Sequence, residues 1–211
     1  IKQGAMQELL KPKEGWEVKK LGACLRSNPD YGINAAAVPY DEALPVYLRI
    51  TDITEDGKYS RQNVVSVNNI LSSNYYLEKD DLVFARTGAS VGKTYLYDPK
   101  DGKLVFAGFL IRIRTNSEIL IPEYFQFYAH TSLYWDWIRT NSTRTGQPGI
   151  NGNEYSEQTI TLPSKAEQIH IAQILSDMDA EIEKMEKKLD KYKMLKQGMM
   201  QNLLTGKIRL I

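Results

Sequence analysis

Two periods of apolar residues divide this chain. From Trp16 to Leu162 the hydrophobic residues come in short blocks or alternate with polar ones, which is the two-residue period of strands. Val46-Tyr47-Leu48-Arg49-Ile50, Asp81-Leu82-Val83-Phe84-Ala85-Arg86, Lys93-Thr94-Tyr95-Leu96-Tyr97, Lys103-Leu104-Val105-Phe106-Ala107 and Phe109-Leu110-Ile111-Arg112-Ile113-Arg114 predict strands. Trp16 to Gly22 is a strand-like piece or a short amphipathic turn, and Thr159-Ile160-Thr161-Leu162 is a last strand. Asp101-Gly102 predicts a hairpin turn into Lys103, and Asp56-Gly57 another turn. Residues 28–45, holding Pro29, Gly32, Pro39 and Pro45, predict a long loop, and polar residues 68–76 suggest a short helix. Pro122 opens an aromatic-rich helix over Glu123–Thr140, read as core packing rather than a base-stacking platform. Residues 141–153 predict a Gly/Asn/Gln/Pro loop.

After Leu162 the period changes. Ser164, with Glu167 three residues on, has the form of a capping box just after Pro163, so a helix is expected to start there. In steps of three and four the chain then gives Ile171, Leu175, Met178, Ile182, Met185, Leu189 and Tyr192, meets Lys196, and recovers at Met199 and Leu203. That is a heptad seam with one polar interruption, flanked by mixed charge. The helix is expected to stop near Thr205-Gly206. About forty residues at ~1.5 Å each make a rod of roughly 60 Å, which needs a partner along its length. The fold class predicted is α+β: a strand-rich domain over 11–163 and a coiled-coil-forming helix over 164–206, with a short tail at 207–211.

The end of the rod has an echo. Lys196-Gln197-Gly198-Met199-Met200-Gln201-Asn202-Leu203-Leu204 returns as Lys2-Gln3-Gly4-Ala5-Met6-Gln7-Glu8-Leu9-Leu10, identical at seven of nine positions and 194 residues apart (196 − 2). Residues 1–10 therefore read as the end of a preceding helix, in a repeating unit of domain plus rod. Opening on Ile1, the sequence reads as trimmed or as continuing upstream.

Composition narrows the chemistry. No apolar run approaches the ~18 residues of a membrane span. Lone Cys24 excludes an internal disulfide framework and fits a reducing cytoplasm. Two distant histidines and one cysteine build no zinc cluster; neither metal nor cofactor is expected. Residues 11–163 carry 17 Lys/Arg against 18 Asp/Glu, so any basic surface must be local.

Gly88-Ala89-Ser90-Val91-Gly92-Lys93-Thr94 resembles a phosphate-binding P-loop but has three residues between its glycines, not four, and runs into strand rather than helix. A tight loop showing Arg86, Thr87, Ser90 and Lys93 suits DNA phosphates or base edges, or is a β-turn with solvated charges. Asn28-Pro29-Asp30-Tyr31 departs from the Asn-Pro-Pro-Tyr of adenine methyltransferases at its third residue and reads as a turn. A Pro-Asp…Asp-x-Lys nuclease reading of Pro29-Asp30 with Asp56-Gly57-Lys58 is poorer than two turns. His130 and His170 have no nucleophile spaced for a triad and are read as structural. Thr143 to Asn153 is too polar and glycine-rich to bury. Arg144 can offer a two-pronged donor to guanine, and Gln147, Asn151 and Asn153 can pair with adenine; a plain surface loop explains the same residues.

Nearly the whole chain resembles a specificity subunit of a type I restriction–modification system. Gly15 to Gly22 is similar to the opening of a target recognition domain, and Tyr47 to Ile53 and Asp81 to Lys93 to its central motifs. Thr145-Gly146-Gln147-Pro148-Gly149-Ile150 resembles the loop before the connecting helix, with Gly149 where Asn is usual; Leu162 to Gln168 and Leu203 to Leu210 resemble that helix and its end. The resemblance implies a protein without catalytic residues of its own. It implies reading one half of a split double-stranded DNA target, docking methyltransferase (M) subunits, and joining a restriction (R) subunit in the full complex. It implies antiparallel pairing of two rods, here expected as a homodimer through the rod. A coiled-coil scaffold whose domain binds protein is the alternative, and fits the near-zero domain charge better.

Overall fold

The computed structural model describes residues 2–143 and 146–205. In chain order its elements are α1 (Lys2–Leu9), β1 (Glu17–Lys20), β2 (Asp30–Tyr31), β3 (Ala37–Pro39), β4 (Val46–Leu48), β5 (Val65–Val67), β6 (Asp81–Ala85), β7 (Thr94–Leu96), β8 (Leu104–Phe106), β9 (Leu110–Arg114), α2 (Pro122–Tyr128), α3 (Ser132–Ser142), α4 (Gly152–Glu157), β10 (Thr159–Leu162) and α5 (Lys165–Leu204). This is the α+β class read from the pattern, with the long helix at the end.

The core is built around β6, whose five residues are all buried. It lies between β7 and β9 in an antiparallel sheet ordered β2-β9-β6-β7. Successive side chains of a strand face opposite ways, and here both faces are covered, which is why the strand is apolar without alternation. Leu82 and Phe84, with Ile111 and Ile113 of β9, pack on a cluster that includes Phe125, Tyr134, Tyr155, Ile171 and Leu175. Phe84 meets three of those rings at centroid distances of 5.7, 6.5 and 5.0 Å, for Phe125, Tyr134 and Tyr155. Val83, Ala85 and Leu110 face the other way, onto Leu48, Leu104 and Phe106. The latter three belong to the second sheet, β3-β5-β4-β8. β1 pairs antiparallel with β10, tying the start of the domain to the strand that leads into α5.

Several local expectations are corrected. Asp101-Gly102 is no hairpin: it ends a 3-10 turn, after which β7 and β8 belong to different sheets, β8 lying parallel to β4. The strand predicted at 46–50 stops at Leu48 and passes into a 3-10 turn over Ile50–Asp52, held by Asp52 accepting from the Arg49 N–H. The region 28–45 holds the two short strands β2 and β3. The helix expected over 123–140 is two, because Thr131 caps a new N-terminus, its hydroxyl accepting from the Tyr134 N–H. The loop expected over 141–153 ends in α4, capped by Asn151.

α5 begins as the sequence predicts. Ser164 caps it, its hydroxyl accepting from the Glu167 N–H at 3.3 Å. The buried amide of Gln168 then clamps the first turn to the chain before α2, accepting from the Ile121 N–H and donating to the Ile119 and Pro163 carbonyls. Ser164→Ala is expected to lower stability by about 1 kcal/mol, the usual cost of a lost N-cap; thermal unfolding checks it, and an unchanged midpoint would show the clamp suffices.

The apolar seam of α5 is divided rather than continuous. Ile171 and Leu175 are buried in the chain's own core and Met178 packs against it, so this stretch is covered within the chain instead of being left wholly for a partner. The reason is that α2 and α1 lie along the first half of the helix. Ile182 is half-buried, and beyond it Met185, Leu189, Tyr192, Met199 and Leu203 are exposed.

Candidate nucleic-acid interface

The two loops singled out in the sequence are one structure. Past the end of β6 the Arg86 carbonyl accepts from the Ile150 N–H at 2.9 Å, and the Gly88 N–H donates to the Pro148 carbonyl at 3.0 Å. Thr87 and Gly149 form an isolated antiparallel bridge. Two glycines sit at this junction. Gly88 sits at φ +71, where a side chain is strained, and a Cβ there would lie 2.9 Å from the Gln147 amide nitrogen. A Cβ at Gly149 lies 3.3 Å from the Arg86 carbonyl, tight against the stitched backbone. Gly88→Ala is expected to cost about 1 kcal/mol from its φ alone and to push Gln147 aside; a protein with unchanged denaturant midpoint would show that the loop relaxes freely.

Arg86 emerges from this junction with its guanidinium 4.8 Å above the ring of Tyr31 in β2. The Tyr31 hydroxyl in turn accepts from the Gly152 N–H at 3.0 Å, fixing the ring to the first turn of α4. Phe109, directly opposite Arg86 across the β6–β9 pair, gives its carbonyl to the Arg86 N–H and leaves its ring exposed. The sequence placed Tyr31 in a turn and Phe109 at the head of a strand, and assigned neither to the site. The surface so formed offers a guanidinium stacked on an aromatic face, a second exposed ring, and the polar side chains of Thr87 and exposed Gln147.

Most other basic residues of the domain are already engaged. Arg112 is buried on β9 and grips Asp30 with two bonds, at 3.0 and 2.6 Å, while also donating to the Tyr76 carbonyl. Asp81, fully buried at the start of β6, receives Arg114 at 2.8 Å, Arg112 at 3.4 Å and Arg26 at 3.6 Å. The alternating basic residues of β9 thus face a buried carboxylate network and are not a charged stripe. Among the described residues of 11–163, Lys11, Lys79, Arg86 and Lys103 are the cations with no carboxylate within 4.0 Å. Of these four, Arg86 lies at the loop junction.

The remaining predicted residues separate. Ser90 closes the 3-10 turn of the first loop. Lys93 follows it but is held at 2.6 Å by Glu55, and it leads into β7, not into the helix a P-loop requires. Asn151 is committed to a capping box: its carbonyl oxygen accepts from the Glu154 N–H, and Glu154 accepts from the Asn151 N–H. Asn153 is exposed on α4. Arg144 lies outside the described residues. His130 is half-buried on the turn between α2 and α3, its Nδ1 2.8 Å from the Gln126 carbonyl, and burial holds its pKa below the ordinary value. Cys24 is buried as well, with its thiol pKa pushed up by burial. Among the described residues there is no cluster of His, Cys, Asp and Glu fit to hold a metal, and no helix long and apolar enough to cross a membrane.

A sequence profile of the type I restriction modification DNA specificity domain matches residues 13–191, most of the chain, which belongs to that family. The type I restriction enzyme MjaVIII specificity subunit of Methanocaldococcus jannaschii is 25% identical over 198 residues, and the putative MjaX specificity subunit of the same organism 27% over 198. These alignments cover 93% and 91% of this chain but 43% and 46% of those proteins, so the chain spans about half the length of the curated relatives it matches. The same holds for solved structures. The HsdS subunit from Thermoanaerobacter tengcongensis superposes with TM-score 0.60 at 18% identity, covering 91% of this chain and 49% of that one. The S subunit from M. genitalium gives TM-score 0.59 at 13% identity, covering 94% and 51%. At such identities the likeness is one of fold.

Proposed function

We propose that this chain recognises one half of a bipartite double-stranded DNA target. Arg86 would read a base edge from its Tyr31 platform, with Thr87, Gln147 and the loop carrying Arg144 alongside. The observation that carries this reading is the stitched junction of the two loops, which presents an unspent, pre-stacked guanidinium at the surface of a domain whose other cations are largely paired. A guanidinium resting over an aromatic face spends none of its N–H donors there, and those donors suit the two acceptors on guanine in the major groove. The family membership supports DNA as the ligand. Within this reading the chain carries no chemistry of its own. It docks a methyltransferase subunit, assembles with a restriction subunit in the cytoplasm, and pairs with a second copy through the exposed part of α5.

DNA binding that weakens steeply with salt is expected, because phosphate contacts release counterions. Affinity for a duplex carrying the target, measured across a salt series, tests this directly. Binding that ignores salt, or no binding beside tight association with a protein, would favour the scaffold reading, for which the near-balanced domain charge speaks.

A further inference from the structure

Phe109 is the phenylalanine that this chain leaves in water. The other four, Phe84, Phe106, Phe125 and Phe127, are between 0% and 9% exposed, whereas Phe109 is 58% exposed. A single exposed apolar residue is ordinary on a protein surface; what sets this one apart is where it stands and how firmly. Residues 107–110 make a tight turn between β8 and β9, closed by the Leu110 N–H donating to the Ala107 carbonyl at 2.9 Å. Gly108 and Phe109 are its two central positions. The Gly108 N–H donates to the Ile33 carbonyl at 2.8 Å, and the Phe109 carbonyl accepts from the Arg86 N–H at 3.0 Å. The turn is thus pinned to neighbouring chain on both sides, and none of these bonds involves the ring.

The register sets the direction in which the ring leaves. Ala85 pairs with Leu110, so Arg86 stands opposite Phe109. Opposite residues of an antiparallel pair project from the same face of the sheet, with Cβ atoms about 4.5–5.5 Å apart. Tyr31 pairs with Ile111, two residues along from Phe109, which puts it on that face as well. Arg86, Tyr31 and Phe109 therefore share one edge of the sheet. The guanidinium rests 4.8 Å over the ring of Tyr31, and the Phe109 ring stands beside the pair, largely exposed. The Thr87 methyl, next along the chain, turns toward the loop junction instead, 3.9 Å from where a Cβ on Gly149 would lie.

We propose that Phe109 is a specificity-determining residue, whose ring reads the C5-methyl group of a thymine within two base pairs of the guanine met by Arg86. This rests on the proposed reading of DNA by this surface and adds to it a contact without hydrogen bonds. A phenyl ring has neither donor nor acceptor, so among the base-edge features of the major groove the thymine methyl is the one that matches it. Successive base pairs lie about 3.4 Å apart, and a ring whose Cβ stands about 5 Å from that of Arg86 reaches the next pair or the one after. Closing the ring over the methyl takes apolar surface of both out of water. The pinned turn keeps the ordering cost of that contact low. The half-site therefore holds a guanine and a thymine as near neighbours.

Deoxyuridine tests this, because it differs from thymidine in that methyl alone. The chain is used in complex with a type I methyltransferase subunit. The probe is a duplex carrying the motif that this complex methylates, with each thymine of the half-site replaced in turn. One replacement, within two base pairs of the guanine whose substitution Arg86→Ala tolerates, is expected to weaken binding about fourfold, the worth of one buried methyl group. Phe109→Ala is expected to keep its unfolding midpoint, to bind the unmodified duplex several-fold more weakly, and to be indifferent to that replacement. Phe109→Leu, apolar but smaller, is expected to keep part of the sensitivity, and Arg86→Ala all of it. A half-site with no thymine so placed, or binding by the natural chain that ignores every replacement, would overturn the proposal and leave the reading by Arg86 in place. Sensitivity that persists in Phe109→Ala would assign the methyl to another residue and overturn it as well. Weaker binding by Phe109→Ala with no methyl dependence would overturn it in favour of a ring wedged between base steps. A complex that binds the motif no better than an unrelated duplex would overturn the DNA reading itself.

Discussion

Asp81→Ala is expected to lower the stability of this protein by about 3–5 kcal/mol, the range for removing one partner from a buried ion pair. Asp81 is fully buried and receives charged donors from Arg114, Arg112 and Arg26. Its carboxylate also accepts from the Glu78 N–H at 3.0 Å, holding the turn before β6. Without it Arg112, which is itself buried, keeps Asp30, the Tyr76 carbonyl and the face of the Phe106 ring, and its charge is left short of compensation in a medium of low dielectric. The damage would fall on β2 as well, since the Asp30 pair is one of the few ties of that two-residue strand to β9. Urea unfolding measures the loss. A change below about 1 kcal/mol would put Asp81 among ordinary surface pairs and contradict the network's role.

Arg86→Ala is expected to leave the fold intact and to weaken binding of the target duplex by about 1–3 kcal/mol, the worth of one good bidentate base contact. The fold should survive because the side chain is half exposed, makes no ion pair among the described residues, and rests on Tyr31 from outside the core. What distinguishes base reading from phosphate contact is the pattern of loss. A base contact relaxes preference at one position; a phosphate contact weakens all sequences alike and lowers the salt slope by about one. Uniform loss would therefore move Arg86 from readout to anchoring, and no loss would remove it from the interface.

The parts of the fold visible in the sequence were those whose cause is local. The apolar run of β6 announced a strand, and Ser164 with Glu167 announced the start of α5. The mistaken hairpin at Asp101-Gly102 came from turn chemistry that is real, while the sheet each flanking strand joins is decided by residues far away, Leu82 to Leu96 for β7 and Val46 for β8. The partners of the basic residues of β9 are hidden from the sequence for the same reason: the carboxylates that take Arg112 lie 31 and 82 positions away. Two misreadings had a local signal that could have been used. Asn151 with Glu154 three residues on is a capping box, and Thr131-Ser132 inside the aromatic stretch is a helix start. Of the candidate site, Arg86, Thr87 and Gln147 were legible as polar loop residues. That their loops are stitched together, and that Tyr31 lies beneath Arg86, depends on packing that no spacing reveals.

Whether this chain chooses the DNA sequence can be measured in a whole genome. The most direct measurement is co-expression with a type I methyltransferase subunit, followed by mapping of methylated adenines across the host genome, for the natural chain and for Arg86→Ala. A split motif present only with this chain, palindromic if two copies pair through α5, and degenerate at one position in Arg86→Ala, is the predicted result. Co-purifying subunits that methylate no motif, or one unaltered by the presence of this chain, would contradict it.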